Sequence, residues 1–142
     1  MTEPLRFHYL VDGGNFTSAG EASVEVKKKL RQLGFSPEVI RCVSIAMNEG
    51  EINMVIHARG GEAEVLVYPD RIEIILTDQG PGIADIGLAM QEGYSTAPDN
   101  IRTLGFGAGM GLPNMKRYTD EMRIESTVGV GTKISMTVLV NK

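Results

Sequence analysis

The sequence has little cysteine and no excess of basic residues, and each of these shortages excludes a class of protein. Cys42 is the single cysteine among 142 residues, which excludes an intrachain disulfide framework and a cysteine-based zinc site. The charge is nearly balanced, with 14 basic and 18 acidic residues and a formal net charge of −4. A general nucleic-acid binder would show a clustered basic excess, so we predict no direct nucleic-acid partner.

Long apolar runs are also missing. No stretch approaches the ~20 apolar residues of a membrane helix, and no basic segment followed by an apolar one opens the chain. We therefore predict a cytoplasmic protein that makes no membrane contact. Its 142 residues, 42% hydrophobic and 23% charged, predict a single globular domain over residues 1–142.

Glycine, by contrast, is abundant and unevenly placed. The chain has 17 glycines, and eight of them lie between Gly80 and Gly111. Evenly spread glycine would indicate flexible loops throughout. Clustered glycine in an otherwise ordinary domain indicates a backbone that approaches something closely.

Hydrophobic periodicity predicts the order β-α-α-β-β, a glycine-rich region, then α-β-β. The predicted strands are 5–11, 62–68, 71–77, 122–128 and 132–140, and the predicted helices are 16–33, 37–58 and 109–120. Within the glycine-rich region we predict a short helix at 85–93 and a mobile loop at 94–107. Because the later strands form hairpins and helices are few, we predict a two-layer α/β sandwich: a mostly antiparallel, mixed sheet with helices on one face.

The second helix carries the first group of candidate functional residues. Glu49 and Asn53 are four residues apart, hence on one helical face, and they interrupt an otherwise apolar set. An amide oxygen suits Mg²⁺, and a carboxylate can orient or deprotonate a hydroxyl; a solvated stripe is the alternative. We predict that Glu51, on another face, is solvated. Gly50, inside the helix, indicates a close approach to a strand or a ligand.

Two glycine-rich segments form the second and third groups. Asp78-Gln79-Gly80-Pro81-Gly82 directly follows a strand, so it indicates either a binding turn or a turn merely capped by Asp78. The third group consists of Gly105, Gly107, Gly109 and Gly111, and it leads into a predicted helix. This arrangement indicates either a binding site for an anion such as a phosphate or a flexible hinge. Neither a dinucleotide fingerprint in a βαβ unit nor a P-loop is present.

Taken in order, these motifs resemble those of the GHKL ATPase superfamily, whose fold is the Bergerat fold with a glycine-rich ATP lid. Its N box resembles Glu49 to Asn53, its first glycine box Asp78 to Gly82, its second Gly107 to Leu112, and its late Gly-x-Gly-Thr turn Gly129 to Thr132. Within the superfamily the chain is similar to small bacterial serine-protein kinases. The segments after Asp78 and Gly111 resemble the switch kinases, and the length of 94–106 resembles the anti-sigma factors.

The resemblance implies a role for each matching residue. Glu49 would be the general base or would orient the acceptor hydroxyl. Asn53 would bind Mg²⁺ on the ATP phosphates, and Asp78 would accept a hydrogen bond from the adenine amino group. Thr132 would help to hold adenine. The other implied ATP contacts are Gly80, Gly82 and Ile83 beside the base, and Gly107, Gly109, Met110, Gly111 and Leu112 in the lid and at the phosphates.

The implied function is an ATP- and Mg²⁺-dependent serine/threonine protein kinase that regulates transcription. Its substrate would be a STAS-domain antagonist protein, with a sigma factor or a downstream phosphatase as a further partner, and the chain could form a homodimer. The chain lacks the length for the phosphoacceptor hairpin of a histidine kinase. Two alternatives stay open: an ATP-binding partner-switch module without phosphoryl transfer, for which Glu49 would not be required, and a structural domain without nucleotide.

Overall fold

The computed structural model describes residues 3–12, 20–57, 60–80, 90 and 111–140. The strands in these ranges are β1 (Leu5–Asp12), β2 (Gly60–Val67), β3 (Arg71–Asp78), β4 (Glu121–Thr127) and β5 (Gly131–Leu139). The helices are α1 (Glu21–Gln32), α2 (Pro37–His57) and α3 (Gly111–Arg117). The predicted helix at 85–93 and loop at 94–107 lie outside the described residues, apart from Met90, which lies in a turn.

The strands form one sheet in the order β1-β2-β3-β5-β4, and every pair is antiparallel. Alternate residues of β3 and β5 are buried on one face, as the period of two in a strand requires. In the central strand, Ile74 pairs with Val65 of β2 and Met136 of β5. The predicted two-layer sandwich is confirmed, with the pairing antiparallel throughout the described strands.

Helix α2 lies at the centre of the core, as its broad apolar set predicts. Val43, Ala46 and Met47 are fully buried. The helix begins where predicted, because Ser36 Oγ accepts a hydrogen bond from the Val39 amide at 3.3 Å and Pro37 occupies the first turn. No helix in the described part of the chain is long and apolar enough to cross a membrane.

Gly50 of α2 marks a close approach to the sheet, as predicted. A Cβ at this position would collide with Leu76 Cδ1 of β3 and lie 3.5 Å from Met115 Sδ of α3. Three elements therefore meet at this glycine, which fixes α2 and α3 above the C-terminal end of β3.

Helix α1 begins at Glu21, so the predicted start at Phe16 is wrong. Gly20 has a φ of +99°, which ends any continuous helix at this point. At the other end, the Gly34 amide (φ +86°) donates to the Arg31 carbonyl and the Phe35 amide donates to the Leu30 carbonyl. These two hydrogen bonds form a Schellman motif.

Helix α3 ends at Arg117, three residues before the predicted Asp120. The Asp120 amide donates to the Thr137 carbonyl at 2.8 Å, and its carboxylate accepts from the Leu139 amide at 2.7 Å. Because Asp120 binds β5 through both groups, it cannot also continue the helix.

Candidate functional site

The C-terminal end of β3 delivers Asp78 to one end of the sheet. Its Oδ1 accepts hydrogen bonds from the Gly80 amide at 2.9 Å and from the Thr132 amide at 3.2 Å. The first bond is the local turn capping that the sequence allows. The second joins the turn to β5, 54 residues later in the chain. Both bonds use Oδ1, so neither requires the second carboxylate oxygen.

Glycines on both neighbouring strands let the backbone pack closely around Asp78. A Cβ at Gly131 would collide with the Asp78 carbonyl oxygen and lie 3.0 Å from Gln79 Cα. A Cβ at Gly61 would lie 3.1 Å from Asp78 Cα and 2.9 Å from Met54 Sδ. Only glycine fits at these positions without a shift of the backbone. Strands β2 and β5 therefore together fix the position of the Asp78 Cα.

Two hydroxyl groups continue the polar row across the sheet. Thr132 pairs in register with Asp78 on β3 and with Ser126 on β4, and it is 7% exposed. Its Oγ1 lies 2.8 Å from Ser126 Oγ, and Ser126 Oγ also donates to the Gly131 carbonyl at 3.2 Å. The buried faces of β3 and β5, apolar along most of their length, therefore end in a carboxylate and a hydroxyl, with the Ser126 hydroxyl beside them on β4.

Helix α2 presents the other predicted pair, Glu49 and Asn53, half-buried on one face. Glu49 Oε1 accepts a long hydrogen bond, 3.5 Å, from Asn114 Nδ2 of α3. Burial raises the pKa of Glu49 above its ordinary value, and the bond from Asn114 opposes that rise in part. A carboxylate whose pKa is raised towards neutrality can take up a proton and release it, as an acid–base group must.

Glu51 is not solvated, which corrects the prediction from its position on the helix. It is 2% exposed and accepts hydrogen bonds from three amides at the start of α1: Gly20 (2.9 Å), Ala22 (3.2 Å) and Ser23 (2.7 Å). The first amides of a helix have no partner within it, and Gly20 offers no side chain to cap them. Burial raises the pKa of Glu51, and these bonds oppose the rise.

The described site residues thus form two groups, which α2 connects. Asp78, Gly80 and Thr132 lie together at the end of the sheet, and Glu49 lies against α3. The contact of Met54 with Gly61, and that of Gly50 with Leu76, fix α2 over the strand that carries Asp78. Of the predicted lid residues, Gly111 begins α3 and Leu112 is buried. Gly82, Ile83, Gly107, Gly109 and Met110 lie outside the described residues.

Sequence reasoning missed two residues of this site, Ser126 and Asn114. The turn around Gly129 fixes the pairing of β4 with β5, so counting back from it places Ser126 opposite Thr132. The sequence signal for Asn114 as a site residue is weaker: it is a polar residue between the buried Leu112 and Met115. Its partner on α2 lies 65 residues away and could not be chosen from the sequence.

Comparisons with known proteins agree with this architecture. The family model described as "Histidine kinase-like ATPase domain" matches residues 16–138. The serine/threonine-protein kinase RsbT of Bacillus subtilis is 35% identical over 108 residues, 73% of this chain and 75% of that protein. An anti-sigma F factor of Clostridium novyi is 36% identical over 121 residues, 81% of each chain. The predicted superfamily and its kinase and anti-sigma relatives are confirmed.

Solved structures show the same fold. The RsbU and RsbW domains of Rv1364c from Mycobacterium tuberculosis match with a TM-score of 0.64 at 17% identity, over 95% of this chain and 32% of that one. The mycobacterial sensor histidine kinase MprB matches with a TM-score of 0.54 at 18% identity, over 95% of this chain and 97% of that one. The present chain therefore spans about a third of the first of these chains.

Proposed function

Because the chain belongs to the histidine kinase-like ATPase domain family, we propose that it is an ATP- and Mg²⁺-dependent serine/threonine protein kinase of the anti-sigma-factor or partner-switching type. Its proposed substrate is a small STAS-domain antagonist protein in the cytoplasm, with a sigma factor or a phosphatase as a further partner and a homodimer as its assembly. The observation that carries the kinase proposal is the half-buried Glu49 facing α3, since a module that only holds ATP needs no base there.

The polar row at the end of the sheet is the proposed adenine site. The Asp78 carboxylate would accept a hydrogen bond from the 6-amino group of the base, while Oδ1 stays bonded to the amides of Gly80 and Thr132. The glycines at 61 and 131 keep side chains away from this end of β3. Gly80, Gly82 and Ile83 keep their proposed places beside the base.

The face of α2 that carries Asn53 is the proposed phosphate end of the site. The Asn53 amide oxygen is a hard oxygen donor on a half-buried face, which fits Mg²⁺ held mainly by phosphates and water. Bound Mg²⁺ would neutralise phosphate charge during transfer. The lid positions Gly107, Gly109, Met110, Gly111 and Leu112 are proposed to surround the phosphates.

Glu49 is the proposed general base of the transfer. The acceptor serine oxygen forms a bond to the γ-phosphorus, the bond from that phosphorus to the ADP oxygen breaks, and the serine proton passes to the Glu49 carboxylate. Such a base contributes about 10²–10⁴-fold to the rate. The bond from Asn114 orients the carboxylate and favours its ionised form.

Mg-ATP is expected to raise the melting temperature of the protein, because a ligand that binds only the folded state stabilises it by about 2.7 kcal/mol at 100 times its dissociation constant. A thermal-shift titration checks this, and γ-labelled ATP with a panel of purified STAS-domain proteins checks transfer. No shift at millimolar Mg-ATP would contradict every nucleotide function. A shift without labelled protein would favour the partner-switch module that binds ATP and transfers nothing.

Replacing Asn114 by leucine is expected to move the acid limb of the pH–rate profile to higher pH. The bond from Asn114 lowers the pKa of Glu49, so its loss lets burial raise that pKa further. Because the base must be ionised, more alkaline conditions are then needed for half-maximal kcat/KM. The measurement is kcat/KM for protein phosphorylation from acidic to neutral pH. Lys116→Ala, on an exposed position of α3, is the control and should leave the limb in place.

A further inference from the structure

We propose that Ser126 is a positioning residue that makes the site selective for adenine by fixing the direction of the Thr132 hydroxyl. The inference rests on the proposed function, because it assigns the adenine end of the site to the row of Asp78, Thr132 and Ser126. Ser126 matches no motif of the family resemblance, and it lies beside Thr132 through the cross-strand pairing of β4 with β5.

The Thr132 backbone and side chain are fixed by different neighbours. Its amide donates to Asp78 Oδ1, and its hydroxyl oxygen lies 2.8 Å from Ser126 Oγ. A threonine hydroxyl can rotate, and it can either donate or accept. The single hydroxyl proton of Ser126 goes to the Gly131 carbonyl, so Thr132 donates in the 2.8 Å bond and keeps only acceptor positions, in fixed directions, for a bound base.

Ser126 is itself placed rigidly enough to do this. Its hydroxyl donates to the Gly131 carbonyl at 3.2 Å, across the hairpin that joins β4 to β5. That hairpin is closed by the bond from the Val130 amide to the Thr127 carbonyl at 3.0 Å. Gly131 in turn packs against the Asp78 backbone, so one set of backbone contacts holds Ser126, Thr132 and Asp78 in place.

A hydroxyl of fixed direction distinguishes two purines that have the same shape. Adenine carries an amino donor at position 6, whereas guanine and hypoxanthine carry an oxygen acceptor there. A site built for one pattern leaves a buried polar group unpaired when it meets the other pattern. A hydroxyl that rotates freely can adapt to both bases. Ser126 therefore increases the preference for ATP over ITP by preventing that rotation.

The test measures the dissociation constants of Mg-ATP and Mg-ITP by calorimetry. Ser126→Ala is expected to reduce the preference for ATP about three- to tenfold, the worth of one neutral hydrogen bond. Ser126→Thr, which keeps the hydroxyl, should restore the preference. Thr127→Ala changes the exposed neighbour on the same strand and should leave the preference unchanged. If Ser126→Ala lowers the melting temperature, Ser126→Cys is measured instead: its volume is similar, and its weak hydrogen-bonding group should also reduce the preference for ATP.

A double-mutant cycle separates positioning from a general structural role. In a Thr132→Val background, Ser126→Ala should no longer change the ATP/ITP ratio, because Ser126 acts through the missing hydroxyl. A change that persists there, or an unaltered ratio in Ser126→Ala alone, overturns the inference while the proposed kinase stands. An unmodified protein that binds neither nucleotide overturns the proposed function, and the inference with it.

Discussion

Replacing Glu49 by glutamine is expected to lower phosphoryl transfer about 10²–10⁴-fold, with Mg-ATP affinity nearly unchanged. Glutamine keeps the size of the side chain and an oxygen that can accept the bond from Asn114 Nδ2. It cannot accept the proton of the attacking serine. Single-turnover transfer from γ-labelled ATP to a STAS-domain protein measures the chemical step, and calorimetry measures binding separately.

Glu38→Gln is the matched control, because Glu38 is an exposed carboxylate in the first turn of the same helix. It should transfer label at the unmodified rate. The pH dependence adds an independent criterion: burial raises the pKa of Glu49 above its ordinary value, so transfer falls as the pH falls through that raised pKa. The residual rate of transfer by Glu49→Gln should not show this fall at low pH. Equal labelling by Glu49→Gln would mean that the carboxylate is not the base.

The parts of the fold that local chemistry determines could be predicted from the sequence. The alternation of Ile134, Met136 and Val138 gives a strand with one buried face, and the structure has that strand at Gly131–Leu139. Ser36 and Pro37 give the start of α2 because a cap and a fixed φ act within one turn. Such signals lie within a few residues of the structure that they cause.

The predictions that failed depend on contacts between distant segments. The cap of α1 comes from Glu51, 31 residues after Gly20, so no local capping residue marks that helix start. The end of α3 is set by bonds from Asp120 to β5 rather than by a glycine or proline. Helical periodicity assigns Glu51 to a face, but whether that face meets water or another helix is a property of the packed chain.

The candidate site could be predicted from the sequence only in part. Four motifs in order predict a set of site residues, and the structure brings two of them, Asp78 and Thr132, within one hydrogen bond although 54 residues separate them. The groups that support these residues were not indicated, because Ser126 and Asn114 act through geometry rather than through a motif. Mutations at supporting positions are therefore the sharper test of the structure, since the family resemblance makes no prediction for them.

Glu51→Ala should lower the free energy of unfolding by about 3–5 kcal/mol, because it leaves three buried amides at the start of α1 without an acceptor. Urea unfolding followed by circular dichroism measures the loss. Glu25→Ala, at an exposed position of α1, is the control and should change the free energy by less than about 0.5 kcal/mol.

Hydrogen exchange locates the effect of Glu51→Ala within the molecule. The amides of Gly20, Ala22 and Ser23 donate to the carboxylate, so they should lose protection first, while amides in β3 and β5 should follow the global stability. Since Glu51 lies two residues from Asn53 on α2, loosening α1 also tests whether the cap supports the proposed phosphate end. Weaker Mg-ATP binding at a temperature where the variant is folded would show that it does. A variant as stable as Glu25→Ala would contradict the buried cap itself.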